Sequence, residues 1–76
     1  MSFTKEQIEE MEILLLFNLT STQEGIKVHK TAGQEAVAAT KRLYEKGLIT
    51  QTDGGYLTNI GFRVAEHAQE LQTVLT

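Results

Sequence analysis

The sequence predicts an α+β domain in the order helix, short strand, helix, β-hairpin, C-terminal helix. Three observations predict it. A capped segment with an apolar core opens the chain, from Phe3 to Phe17. An alanine-rich segment with one apolar stripe follows in the middle and stops at Gly47. The stretch Leu43–Gly61 (LYEKGLITQTDGGYLTNIG) then reads as a helix end, a strand, a tight turn, a second strand and a new helix start.

The first helix is marked by Thr4 as N-cap and Gln7 three residues on, a T-x-x-Q capping box. Phe3 and Ile8 occupy the positions of a hydrophobic staple, and Glu6 suits the positive end of the helix dipole. Ile8, Met11 and Leu15, with Leu14 beside them, are expected to face inward, while Glu6, Glu9, Glu10 and Glu12 face water. The run Ile13–Phe17 is apolar nearly all round, which predicts burial on more than one side, and Asn18 is the expected end. Between 18 and 31, Ser21-Thr22-Gln23-Glu24 offers a second capping box that Gly25 would cut short. Ile26-Lys27-Val28-His29 alternates apolar with polar, which predicts a strand beside the hairpin.

Thr31–Lys46 is the next predicted helix, with Thr31 or Gly33 in the cap region and Ala32, Ala36, Ala38 and Ala39 supplying propensity. Ala36, Val37, Thr40, Leu43 and Tyr44 form its expected inward stripe. Lys46 suits the last turn and Gly47 the left-handed position after it. Asp53-Gly54-Gly55 is placed where a hairpin turns, because tight turns need positive φ. Thr58 is the expected cap of the last helix, with Leu57 and Phe62 as a second staple. Gly61 in its first turn costs about 1 kcal/mol against alanine, which points to a close approach of another backbone. Val64, Ala68, Leu71 and Leu75 are its expected apolar face.

Seventy-six residues make one domain, 1–76, with a core that is small for its surface. With no cysteine and two histidines, neither a disulfide nor a structural zinc is expected, and no cofactor. The longest apolar run, Ile13–Phe17, is far below the ~20 residues of a membrane span. The N-terminus lacks a basic start followed by an apolar stretch, so a cytoplasmic setting without a membrane partner is expected. Enzyme motifs are missing. His29 and His67 lie in no nucleophile context, Ser21 is in no G-x-S-x-G, and Gly54-Gly55 is not followed by a Lys-Ser/Thr pair. Glu9 and Glu10, as helix neighbours, point about 100° apart and cannot share a site. The chain is therefore read as a non-enzyme.

Net charge is −3, yet the charges segregate. Residues 1–26 carry one lysine against five glutamates. Residues 27–47 carry Lys27, Lys30, Lys41, Arg42 and Lys46 against Glu35 and Glu45. DNA binding needs a local basic face rather than a basic total. The alternative is that these are plain solvated helix charges.

The order helix, hairpin, capped helix resembles the winged helix-turn-helix superfamily of bacterial DNA-binding regulators. The resemblance is carried by Arg42–Ile49, then Asp53–Thr58, then Gly61, and covers roughly residues 31–65. The whole chain also looks like a small uncharacterised proteobacterial family loosely labelled DNA-binding. The departure lies at 18–31, where the scaffold helix of the motif is truncated. The resemblance implies a transcription-regulator-like protein that places helix 31–46 on double-stranded DNA. Thr31, Gln34 and Glu35 would reach base edges, with Ala38 permitting close approach. Lys30, Lys41 and Arg42 would meet phosphates, with Lys27 and His29 joining from the strand. The hairpin tip carries Asp53 and no cation, which suits the alternative function, a winged-helix protein–protein interaction module without DNA affinity. A homodimer burying Leu14–Phe17 and Val64–Leu75 is also expected.

Overall fold

The computed structural model describes residues 2–21 and 23–76. Helix α1 (Lys5–Leu14) is followed by strand β1 (Ile26–Lys27), a 3-10 turn (Lys30–Ala32), helix α2 (Gln34–Glu45), strands β2 (Ile49–Gln51) and β3 (Gly54–Leu57), and helix α3 (Asn59–Leu75). The fold is α+β, with three helices and a three-stranded antiparallel sheet in the order β1-β3-β2. The strand expected at 26–29 is present as its first two residues. It pairs Ile26 with Gly55 and Lys27 with Gly54, and the alternation of half-buried and exposed positions continues through Val28 and His29.

The local punctuation works as the residues dictate. The Thr4 side chain accepts from the Gln7 amide at 3.1 Å, and the Gln7 side chain accepts from the Thr4 amide at 2.9 Å, closing the capping box. At the end of α2, Gly47 takes φ +77°, its amide donates to Tyr44, and the Leu48 amide donates to Leu43, which is the paired-bond ending that glycine permits. The Thr58 hydroxyl accepts from the Gly61 amide at 3.0 Å and donates to the Gly47 carbonyl at 2.7 Å. One side chain thus caps α3 and ties it to the end of α2. Gly61 is buried against Leu48, where a Cβ would overlap the carbonyl group, its carbon lying 2.7 Å away. Leu57 and Phe62, the expected second staple, are both half-buried and line one small recess.

Several expected faces are rotated. In α1 the buried side is Glu10, Ile13 and Leu14, continued by Phe17, while Ile8 and Phe3 are exposed. Glu10, expected in water, is only 6% exposed. The reason is tertiary: its carboxylate is satisfied by Arg42 of α2 and by Lys46 at the cap of that helix, so it occupies the packed face with its charge paired. The helix stops at Leu14, four residues before Asn18, because Gln69 of α3 takes up the loose Phe17 carbonyl at 2.8 Å and holds the chain in a turn. Asn18 instead organises that turn, accepting from the Thr20 amide at 3.0 Å and donating to Glu24 at 2.8 Å. The second capping box rests partly on Thr22, outside the described residues, and Ser21, Glu24 and Gly25 are not helical.

Helix 31–46 is divided. Lys30–Ala32 form the 3-10 turn, Gly33 at φ +103° breaks the path, and α2 proper begins at Gln34. Its buried residues are Ala39, Thr40 and Leu43, and Val37 and Tyr44 turn outward. At about 100° per residue, Val37 and Tyr44 lie roughly 110–130° around α2 from the middle of the arc that Ala36, Ala39 and Leu43 place against the core. The hairpin turn is Thr52-Asp53, and neither has positive φ. Gly54 and Gly55 have it, inside β3, where they are crowded by β1 and β2. Between the pairs Ile49–Leu57 and Gln51–Gly54, β3 holds one more residue than β2, a bulge closed by the Tyr56 amide donating to the Thr50 hydroxyl at 2.9 Å. In α3 the buried residues are Gly61, Ala65 and Ala68, with Val64 half-buried. Leu71 and Leu75, expected on that face, are exposed, because α3 runs on past the core it packs against.

Candidate nucleic-acid interface

The core of Ile13, Leu14, Phe17, Ala39, Leu43, Ile49, Ala65 and Ala68 fixes α2 between α1 and the sheet. The residues after β1, the 3-10 turn, the middle of α2 and the hairpin tip line an open groove of about 350 Å³, together with Lys27 of β1. Lys27, His29 and Lys30 line it from the first wall, Lys41 from α2, and Asp53 from the tip. Backbone bonding holds the walls together: the Val28 amide donates to the Asp53 carbonyl at 2.8 Å. The Thr40 hydroxyl, at the groove floor, donates back to the Ala36 carbonyl at 2.7 Å.

Charge pairing separates the five cations of the middle third into two sets. Arg42 turns toward α1. Its Nε donates to Glu10 at 2.8 Å, its terminal nitrogen lies 3.3 Å from the Glu6 carbonyl oxygen, and Glu9 stands 3.9 Å away. Lys46, one turn later, holds the other Glu10 oxygen. Burial pushes the Glu10 carboxyl up, but the hydrogen bonds from Lys46 and Arg42 and their charges outweigh it, and the group stays below the ordinary carboxylate range. Among the described residues every ion pair involves Glu9 or Glu10. Lys27, Lys30 and Lys41 make none and are all exposed on the groove.

Of the eight residues expected to form a DNA face, the structure brings Lys27, His29, Lys30 and Lys41 into this groove. Gln34 and Glu35 are exposed in the first turn of α2 and Thr31 in the 3-10 turn before Gly33, and none of the three lines the groove. Arg42 is separated from the rest and serves the α1–α2 contact. Sequence reasoning missed Val28, Val37 and Thr52, which supply the apolar and neutral parts of the lining. It also missed Glu10, for which a signal existed: Glu10, Ile13, Leu14 and Phe17 stand at i, i+3, i+4 and i+7.

Among the described residues there is no cluster of three metal-ligating side chains, and no helix is long and apolar enough to cross a membrane. The chain belongs to a family of unknown function, DUF5669, whose model matches residues 1–76. No characterised protein matches it. No solved structure does either.

Proposed function

We propose that this DUF5669 member is a DNA-binding protein of the transcription-regulator kind, which holds the phosphate backbone of duplex DNA with Lys27, Lys30 and Lys41. The observation that carries the reading is the division of the cations. Two are consumed by Glu10, and three others converge from separate segments on one groove with no carboxylate in ion-pair contact. An acidic chain that keeps a lysine-lined concavity unneutralised presents a local positive field despite its total charge. Phosphates are the ligands such a field suits, and the exposed Gln34 and Glu35 stand at the helix start from which base edges are read, with Thr31 exposed in the turn before it. His29 adds a ring N–H donor to the same wall.

The element order and the β1-β3-β2 sheet support a winged-helix-like reading. In that reading α2 is the recognition helix, the β2–β3 hairpin is a short wing, and the 3-10 turn stands where a full scaffold helix would otherwise be.

The test is retention on duplex DNA or heparin. Three phosphate contacts give a slope of log affinity on log salt of about −2.7, or roughly a 40-fold loss between 50 and 200 mM salt. Lys30→Glu with Lys41→Glu should abolish retention with the circular dichroism unchanged. Arg42 is left intact because its removal would disturb α1 and α2. Asp53→Asn should strengthen retention, since Asp53 is the acidic member of the lining. Wild type that passes through at low salt refutes the reading. A second reading, a protein-interaction module, is favoured by Asp53 in the groove. Under it, neither lysine reversal nor Asp53→Asn alters DNA retention.

A further inference from the structure

Helix α3 carries an outward stripe that nothing among the described residues covers. Its buried residues, Gly61, Ala65 and Ala68, lie on one side, and opposite them, at alternating three- and four-residue steps, stand Ile60, Arg63, His67, Glu70 and Val74, with Leu71 alongside. Ile60 is 64% exposed and Val74 75%. From Glu70 onward every residue of the chain is exposed, so the last turns of α3 gain nothing from the core. A short helical end without packing is marginal in water. His67, Glu70, Leu71 and Val74 enclose a shallow concavity of about 410 Å³, which gives the stripe a place for protruding side chains.

The order of residues along the stripe is self-complementary. Reversed about His67, the series places Ile60 of one helix opposite Val74 of the other, seven residues on either side of the centre. Leu71 then faces Arg63. Arg63 and Glu70 come within one residue of direct opposition, about 1.5 Å of helix rise, well inside the reach of these side chains. Each charged residue thereby meets one of opposite sign, and the contact occurs twice by symmetry. A parallel pairing would instead set arginine on arginine and glutamate on glutamate. The structure engages Arg63 and Glu70 in no ion pair among the described residues, so both are available for the contact.

We infer that the outer face of α3 is an isologous dimer contact, in which two copies of the chain pair their α3 helices antiparallel about His67, with Ile60 against Val74 and Arg63 against Glu70 of the other copy. One helix pair is small beside a standard interface of roughly 1,600 Å², so the dimer dissociates at low concentration, with a Kd on the order of 10 μM. The contact is separate from the lysine groove and stands or falls without it.

Sedimentation equilibrium of the wild type is expected to show mass rising from the monomer's 8.5 kDa toward twice that value with concentration. Arg63→Glu alone and Glu70→Arg alone should each remain monomeric, and an equimolar mixture of the two should regain the dimer, because every contact in the mixed pair is again opposite in sign. Orientation is read by crosslinking, which the cysteine-free chain makes unambiguous. Ile60→Cys mixed with Val74→Cys should oxidise to a heterodimer, whereas neither alone should crosslink. A mass fixed at the monomer value to about fifty times the expected Kd overturns the inference. So does a mixture of the charge variants that stays monomeric, or crosslinking of either cysteine variant with itself.

Discussion

Removing Arg42 should destabilise the fold more than removing the charge it neutralises. The Glu10 side chain is 8% exposed, and its two oxygens are taken by Arg42 and Lys46. Arg42→Met leaves a buried carboxylate with one partner, and that partner, Lys46, is half exposed. Breaking a fully buried pair by deleting one member costs about 3–5 kcal/mol. The remaining lysine and the partial exposure of Arg42 reduce this to about 2 kcal/mol. Glu10→Gln leaves only cations, both of which reach water, and keeps an oxygen that accepts from one of them. Its cost is about 1 kcal/mol. For a domain of this size, 2 kcal/mol corresponds to roughly 8–16 °C in Tm. Urea unfolding followed by circular dichroism should give the order wild type, Glu10→Gln, Arg42→Met, and the double variant should be more stable than the sum of the two losses predicts. The pH dependence has a definite sign. Glu10 has its folded pKa below the unfolded one, so its contribution is present above the ordinary carboxylate value of 4.5 and is lost as pH falls through the folded value. The gap between wild type and Arg42→Met should therefore narrow below about pH 4.5. If Glu10→Gln costs as much as Arg42→Met, or if the gap is unchanged in acid, the pair is not the buried lock described here.

Three further outcomes follow from the packing. Gly61→Ala should cost about 3 kcal/mol, measured by urea melts, because the added methyl overlaps the Leu48 carbonyl and only backbone movement relieves it. Thr58→Val should cost about 1–2 kcal/mol and Thr58→Ser almost nothing, since the hydroxyl caps α3 and also donates to Gly47. Gly55→Ala should lose about 1–2 kcal/mol through its φ of +76° and its contact with Thr50, with the amide exchange of β3 accelerated more than that of α1.

What the sequence made legible is what neighbours in the chain decide. Thr4 with Gln7, Gly47 after Lys46, and Thr58 before Gly61 are signals complete within a few residues, and each forms the bonds its chemistry implies. The face of α1 was not legible in this way. Polarity alone sends Glu10 to water, and the partners that draw it inward stand 32 and 36 residues away. The same long-range pairing explains why Arg42 parts from Lys41: one step along a helix turns a side chain about 100°, enough to exchange the groove for α1. Likewise, Asp53-Gly54-Gly55 signals a turn, but it does not reveal that β1 crowds Gly54 and β2 crowds Gly55 inside β3, where both take positive φ.

The Glu10 lock also bears on the groove. On the proposed reading α2 is a recognition helix and needs a brace, yet between β1 and α2 stands a 3-10 turn of three residues that buries none of its side chains. The brace is supplied from the other side. Ile13 and Leu14 of α1 share one core with Ala39 and Leu43, and Glu10 fastens the last turn of α2 and its cap through Arg42 and Lys46. Lys41 is adjacent to Arg42, so the residue that fixes the helix and the residue that faces the groove are set by the same turn of backbone. An ion pair that is modest as a source of stability thus has a second effect, which is to hold the α2 wall of the groove at a fixed distance from Lys27 and Lys30. If DNA is held as proposed, Arg42→Met should weaken retention only as far as it loosens α2. Adding a stabilising osmolyte should then restore retention in Arg42→Met and leave the Lys30→Glu, Lys41→Glu variant unaffected.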